Sequence, residues 1–584
     1  MKTRTYGWVQ NPSSFSNLKK IVQIFDINSP HYQDLKLNLL KNIYFTNIKA
    51  ELQKKFDKNV KVFSYVELVG TSKNKLGKSP KNRQDAVANS IIQVSITPQQ
   101  AKKTGKTWTD NWTSDGFLRW AVSLNFIKVD IKKDIFSITE NGLSFSQSTS
   151  GSSEETGILQ IALLAYPPAT QILSLLDSAN QYCTKYYLGA NLGFRGEKGF
   201  TSYNEDIMFD WLNSADNKEK KKIKSDVEGT SDKYARGICN WLKNVGFVKT
   251  GAAKKIFSDG KEEKFQGYKI TGKGLSALRR SQGSSKNKQI EKFVMWEFFA
   301  TDGQNRDYVR ARRAFIVKFL TKPIILKQLI KKLGEKGFHD SQEIIESDIQ
   351  GLKYFGLRIE QKNDKLFLLD KINNFHIPDL NFTRELKNDQ IEKRKEKFLK
   401  ITSLPMKYIE LLEIAYDGKR NRDFEIVTIE LFKEIYKINA KLLGGSRKPD
   451  GLIFDQNFGV IIDTKAYSNG YTKNIAQADE MIRYIEDNRR KCKTRNPNCW
   501  WENFPADIPK NNYYFLWISS KFINNFNEQL IYTANQTETK GAALNVEQLL
   551  LGAAAIMKGN IAISNLINYF DNKEILFADS PISS

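Results

Sequence analysis

The chain has 584 residues, 40% of them apolar and 12% aromatic, with a formal net charge of +25. That length exceeds what one core can hold, and the composition excludes a disordered or fibrous chain. The charge calls for a polyanionic partner, most simply nucleic acid; about +22 of it falls before residue 387, leaving about +3 for the remainder.

In chain order, residues 115–143, DGFLRWAVSLNFIKVDIKKDIFSITENGL, predict an amphipathic helix, a short basic hairpin and a Thr-x-x-Gly turn that opens another helix. Residues 232–275 repeat this plan through KYARGICNWLKNVGFVKT, a longer basic hairpin and YKITGKGL. Between them, YPPATQILSLLDSANQYCTKYYLGANLGF has the helix, turn and helix spacing that precedes a recognition helix. A partial third copy, IESDIQGLKYFGLRIEQKNDKLFLL, spans 345–369. Helix followed by hairpin is the layout of a winged helix, and several such modules would spread the positive charge over DNA. Ser/Gly-rich linkers are expected at 146–157 and 279–289, and a polar tether containing Pro378 at 376–388. The expected divisions are 1–152, 153–286 and 287–375 for three modules, 376–388 for a linker and 389–584 for a last domain.

The last third follows another pattern. A charged helix, QIEKRKEKFLK, and the helix RDFEIVTIELFKEIYK lead to the loop KLLGGSRKPDG. Strands LIF and GVIID, helix IAQADEMIRYIEDNRR, strand YYFLWIS and helices around LNVEQLLLGAAAIMKGN follow. This describes a mixed sheet covered by helices. Asp450 stands at the start of one strand and Asp463 at the end of the next, so a hairpin turning near DQN brings them together. Alternation puts Asp463 and Lys465 on one face and turns Thr464 away. Two carboxylates bind a hard divalent cation, most simply Mg²⁺, with the Thr464 carbonyl a further oxygen ligand. Lys465 then orients or deprotonates a water and offsets charge on a phosphorane, which are the needs of phosphodiester hydrolysis. Glu425 is either a further acidic contributor or an exposed helix charge.

P-D-x12-D-x-K is the pattern of the PD-(D/E)xK nucleases. The segments GGSRKPDG, GVIIDTKAYS and QADEM, with RTYGWVQNP, NLKKIVQIFD, YVELVGT, DNWTSDGFLRWA, LGFRGEKGFTS and GTSDKYAR upstream, resemble the FokI-like type IIS restriction endonucleases. The resemblance implies a multidomain fold, α+β winged-helix-like DNA-recognition modules followed by an α/β PD-(D/E)xK restriction-endonuclease-like domain. It also implies binding to a short asymmetric double-stranded DNA site of the GGATG type and Mg²⁺-dependent cutting of both strands at a fixed offset downstream. The nuclease would be tethered, sequestered until DNA is bound, and active as a transient homodimer. Carried over, Gln10, Asn11, Trp112, Glu228, Lys233 and Arg236 would contact DNA, and Asp479 and Arg483 would form the dimer contact. Lys233 and Arg236 lie one turn apart at a helix start, which suits guanine acceptors or phosphates. Trp112 has a core role as its alternative, and Asp479 and Arg483 have an internal i,i+4 pair as theirs.

The chain departs from the family at 71–90, which is longer, at Ser225, Asp226 and Val227, and in a shorter hairpin between the two aspartates. The competing readings are a non-catalytic winged-helix DNA-binding protein with a degenerate nuclease domain, or a repair or transposition nuclease. Four scattered cysteines and three histidines exclude a disulfide framework or zinc site, and CKTRNPNC reads as a loop with free thiols. No signal-peptide core or run of about 18 apolar residues is present, so a cytoplasmic protein is expected; the resemblance implies a bacterial host and a companion DNA methyltransferase.

Overall fold

In a computed structural model of the chain the described residues are 5–10, 12–82, 85–98, 101, 105–197, 199–214, 220, 223, 230–256, 262–299, 305–378, 389–445 and 447–577. They fall into two compact units. One comprises Met1–Phe194, Lys198–Phe200 and Thr230–Arg384; the other comprises Arg195–Glu197, Thr201–Gly229 and Glu385–Ser584. Residues 379–388 of the expected tether lie outside the described residues.

The first unit repeats one local design. Asp110 caps the helix Asn111–Ser123 by accepting from the Thr113 N–H at 2.8 Å, and the hairpin of β1 (Ile127–Asp130) and β2 (Ile135–Ile138) follows. The Thr139 hydroxyl oxygen then accepts from the Gly142 N–H at 3.0 Å and donates to the Asn125 carbonyl at 2.7 Å, which opens the helix Glu140–Gln147. In the second copy β3 (Cys183–Thr184) precedes the helix Thr230–Asn244, β4 (Val248–Ile256) and β5 (Glu262–Ile270). There Thr271 makes the same two bonds, to the Gly274 N–H and the Gly246 carbonyl, at the same 3.0 and 2.7 Å. A Cβ on Gly142 would stand 2.0 Å from the Phe126 carbonyl oxygen, and one on Gly274 would stand 2.1 Å from that of Phe247. The Thr-x-x-Gly signature therefore ends in glycine because helix and strand approach too closely for any side chain.

The third copy has β6 (Ile324–Ile325), the helix Gln342–Phe355, and the hairpin of β7 (Ile359–Lys362) and β8 (Lys365–Leu368). Its two-residue turn, Asn363-Asp364, has positive φ at both positions (49° and 60°), as a type I′ hairpin requires. β3 pairs with β5 and β6 with β8, so each of these hairpins becomes a three-stranded sheet; in the first copy the bridge Phe63↔Phe136 stands in that place. One linker differs from its prediction. Residues 153–157 open the helix Ser153–Ala165, with Ser152 as cap and Glu154 and Glu155 in the first turn. Ser and Glu are both linker-like in composition and ideal at a helix start, and capping wins. No single described helix is long and apolar enough to cross a membrane.

The second unit is built on a six-stranded sheet in the order β14-β13-β12-β11-β10-β9, comprising β9 (Asn439–Leu442), β10 (Gly451–Phe454), β11 (Gly459–Lys465), β12 (Tyr513–Ser519), β13 (Gly541–Asn545) and β14 (Lys573–Glu574). β9, β10 and β11 are antiparallel, whereas β11 to β14 run parallel. The sequence predicts only three of these strands. Gly-Ala-Ala-Leu-Asn carries little β propensity, and β13 forms because parallel neighbours and helices on both faces bury it. On the face of Ile461, Phe515 and Trp517, the core is completed by Met481, Tyr484 and Ile485 of the helix Ile475–Arg490 and by Phe526 and Leu530 of the helix Phe526–Thr537. The helix Asn421–Glu434 packs on β9, β10 and β11.

Candidate active site

The loop GGSRKPD brings the chain back on itself. The Leu443 N–H donates to the Asp450 carbonyl at 3.0 Å and the Gly444 N–H to that of Pro449 at 3.1 Å, so Asp450 emerges beside β9 just before β10 begins. The β10–β11 register runs from Phe454↔Gly459 to Gly451↔Ile462, with Asp455 holding the turn by accepting from the N–H groups of Asn457 and Phe458. Asp450 and Asp463 therefore meet at the end of the hairpin away from its turn, as the spacing predicts.

Asp463 is 4% exposed. Its Oδ1 accepts from Lys465 Nζ at 2.8 Å and its Oδ2 from the indole Nε1–H of Trp517 at 3.1 Å. Asp450 Oδ2 accepts both from the Thr464 N–H, at 2.7 Å, and from the Thr464 hydroxyl, at 3.0 Å. Thr464 keeps its place in the regular alternation of β11, and its tie to Asp450 is a contact that alternation does not reveal. Asp450 precedes β10 and is aimed by its loop rather than by the ladder, which puts it within reach of the threonine on the neighbouring strand. Asp450 with Thr464 and Asp463 with Lys465 are thus two hydrogen-bonded pairs at one sheet end.

The electrostatics are unbalanced toward negative charge. Burial pushes the Asp463 carboxyl up to about 7; Lys465 pulls it down and Asp450 pushes it further up. Glu425, on the helix Asn421–Glu434, is pushed up to about 8 by burial and by Asp450, against the pull of Arg422. It is no exposed helix charge: its side chain is 14% exposed and ion-paired to Arg422, whose guanidinium lies 4.6 Å from the Trp211 ring centre. For Lys465 burial disfavours the charge, yet Asp463 and Asp450 outweigh it and hold the ammonium above the ordinary lysine range. Asp450, Asp463 and Glu425 against Lys465 and the Arg422 guanidinium leave an excess of acid that favours a cation, and the carboxylates are hard oxygens of the kind Mg²⁺ or Ca²⁺ takes. Among the described residues no cluster of three or more His, Cys, Asp or Glu is arranged around a metal site. Alternation exposed the acids and the lysine in the sequence. It left unseen Trp517, which becomes a neighbour only through the parallel register Asp463↔Trp517.

The expected DNA-contacting residues belong to the first unit. Gln10 is half-buried and hydrogen-bonded to Tyr234 of the helix Thr230–Asn244, which also carries the half-buried Lys233 and Arg236. Trp112 begins the helix Asn111–Ser123 and is 58% exposed, which excludes its core alternative. Asn11 and Glu228 lie outside the described residues. On the helix Ile475–Arg490 of the second unit Asp479 is exposed, and Arg483 pairs with Glu480 at 3.2 Å rather than with Asp479. The internal i,i+4 pair is not made.

A family model for the FokI cleavage domain matches residues 387–576; models for FokI recognition subdomains 1 and 2 and the FokI D3 domain match 4–148, 155–286 and 299–364. The type II restriction enzyme FokI of Planomicrobium okeanokoites is 42% identical over 589 residues, covering 99% of this chain and 100% of its own. The chain belongs to the FokI family of type IIS restriction endonucleases. The type II restriction enzyme StsI of Streptococcus sanguinis is 30% identical over 562 residues, covering 92% of this chain and 90% of its own. A structure of FokI superposes with a TM-score of 0.86 at 41% identity, covering 98% of this chain and 100% of its own; a structure of FokI bound to DNA gives 0.87 at 41%, covering 99% and 100%. The architecture is FokI recognition subdomains followed by a FokI cleavage domain. As a FokI-family enzyme it is a site-specific endonuclease with a divalent metal cofactor, which sets aside the degenerate DNA-binding protein and the repair or transposition nuclease.

Proposed function

We propose that this FokI-family enzyme binds a short asymmetric site in double-stranded DNA, of the GGATG type, through modules at 1–152, 153–286 and 287–375. The domain at 389–584, tethered by 376–388, then hydrolyses both strands at a fixed offset downstream. The basic charge of the first two-thirds and the likeness to a FokI structure bound to DNA support the partner. Gln10, Asn11, Trp112, Glu228, Lys233 and Arg236 are its proposed contacts; the exposure of Trp112 supports its place among them.

The observation that carries the chemistry is the linkage of Asp450 to Thr464 and of Asp463 to Lys465 at one sheet end. Asp450 and Asp463 would hold Mg²⁺, with the Thr464 carbonyl as a further oxygen. When bound, the ion supplies Lewis-acid polarisation of the scissile phosphate and a water of lowered pKa. In the metal-free protein Asp463 and Asp450 hold the Lys465 ammonium above the ordinary lysine range; beside a bound ion its part would be to orient or deprotonate the attacking water and to offset charge on the phosphorane. Asp463 must be ionised to serve, and a bound cation favours that form.

Both strands require two sites. Ile475, Asp479 and Arg483 are all exposed at four-residue intervals on one helix, which supports a transient two-fold dimer in which Asp479 meets Arg483 of the partner subunit. Restraint of the nuclease until DNA is bound is supported by residues 201–214, which fold with the second unit and stack Trp211 on Arg422. A companion methyltransferase and a bacterial cytoplasmic location complete the proposal. The test is to incubate the protein and Asp463→Ala with plasmid DNA and Mg²⁺ and map the ends. Discrete fragments at one offset from one short sequence, absent with the variant, are expected; scattered nicks or an active variant overturn the reading.

A further inference from the structure

Asp463 accepts a second donor that the proposed chemistry does not use. Trp517 is its register partner across the parallel β11–β12 ladder, so the two side chains stand side by side on one face. The indole is fully buried, with Phe515 and Phe526 at 5.3 and 5.6 Å, both edge-on, and Phe526 is itself packed by Tyr471 and Phe522 at 5.0 and 4.4 Å. On the other flank the paired residue is Ala543, whose small side chain leaves room for the larger ring. Core packing alone would be served by phenylalanine. An indole brings an N–H that costs stability when buried without a partner, and here that N–H points at one carboxylate oxygen 3.1 Å away.

We infer that Trp517 is a positioning residue that fixes the Asp463 carboxylate for the divalent ion. This rests on the reading of Asp463 as a metal ligand. A carboxylate turns about its Cβ–Cγ bond unless both oxygens are held. Lys465 holds Oδ1, but through a flexible four-carbon stem, and its ammonium must turn toward water and phosphate during hydrolysis. The indole cannot leave, because it is fully buried and held by the register of β12 beside β11. Trp517 is therefore the donor that persists while Lys465 works. Each carboxylate oxygen accepts more than one bond, so the indole leaves Oδ2 capacity for the ion. Donors behind a metal ligand are typically worth about 10–100-fold in metal affinity.

The test uses the full-length protein with ¹⁵N-labelled indoles, titrated with Mg²⁺ without DNA, beside cleavage assays across Mg²⁺ concentrations. In the wild type one indole N–H resonance, absent in Trp517→Phe, should shift with the Mg²⁺ titration and move in Asp463→Ala. Trp517→Phe should raise the Mg²⁺ needed for half-maximal cleavage at least about tenfold and recover nearly full rate at saturating Mg²⁺. Phe526→Leu, which loosens the ring pocket but keeps the N–H, should leave that concentration nearly unchanged. An unmoved wild-type resonance, an unchanged Mg²⁺ requirement in Trp517→Phe, or an equal rise in Phe526→Leu overturns the inference. If Trp517→Phe does not fold, the resonance is identified as the indole signal that moves in Asp463→Ala, and its response to Mg²⁺ in the wild type decides the matter. If Asp463→Ala keeps full cleavage, the metal-ligand reading fails, and this inference with it.

Discussion

Two buried aspartates, one in each unit, meet opposite fates. Asp348 is 2% exposed and is met by two guanidinium groups, Arg312 at 2.6 Å and Arg313 at 2.7 Å, while Asp340 takes a second bond from Arg312 at 2.7 Å. Burial alone would push its carboxyl up, but the two arginines win and hold it below the ordinary range. Asp463 is just as buried, at 4%, and has one ammonium and an indole against neighbouring acids, so it ends near 7. Burial of a charge does not mark a functional centre; an unmatched one does. Asp348 holds the helices Arg306–Phe319 and Gln342–Phe355 together through its arginines, whereas Asp463 is left unmatched, as its proposed role toward a cation requires.

The comparison is breakable by paired substitutions. Asp463→Asn should lower Mg²⁺-dependent cleavage by at least about 10³-fold in end-mapping assays, because one of the two proposed anionic ligands is gone. Its melting temperature without metal at pH 8 should not fall. Asp348→Asn should do the reverse, losing about 3–5 kcal/mol in denaturant unfolding as two buried guanidinium groups lose their partner. If both variants lose stability alike, the contrast between matched and unmatched acids is wrong.

The same contrast appears in pH dependence. Asp463 and Glu425 sit at about 7 and about 8 when folded, above the unfolded carboxyl range near 4, so the folded protein binds more protons through that interval. Their contribution to the stability of the metal-free protein is fully present at low pH and is lost as pH rises toward 8. Calorimetric melting in chelator between pH 5 and 8 should show this slope reduced in Asp463→Asn. Asp348, depressed in the folded state, contributes stability that is lost only as pH falls below about 4, so Asp348→Asn should leave the slope between pH 5 and 8 unchanged. The smallest effect belongs to the exposed helix face. Arg483→Asp should cut double-strand cleavage about tenfold with DNA binding nearly unchanged, since rim charges set pairing more than stability. Equal loss of both in a binding and cleavage assay would end the dimer assignment.

Much of this was legible in the sequence wherever the signal is local. The apolar run ending Asp463-Thr464-Lys465 declares a strand and its alternation, and Thr139 and Thr271 with glycine three residues on declare two equivalent turns. What stayed hidden depends on partners far along the chain. The burial of Glu425 is set by how the helix Asn421–Glu434 lies on the sheet, and the pairing of Arg312 and Arg313 with Asp348 by how two helices cross. Trp517 reads as one more core aromatic until the parallel register puts it opposite Asp463. β13 escaped because alanine and glycine carry no period to read.

The hairpin that joins the two aspartates has its turn at Asp455–Phe458, separated from the acids by the whole of β10, four residues or roughly 13 Å. Its length is thereby uncoupled from the geometry at the far end. That tip is a natural graft point: a short epitope or dye-binding peptide inserted there would ride on the enzyme as a reporter without shifting either carboxylate.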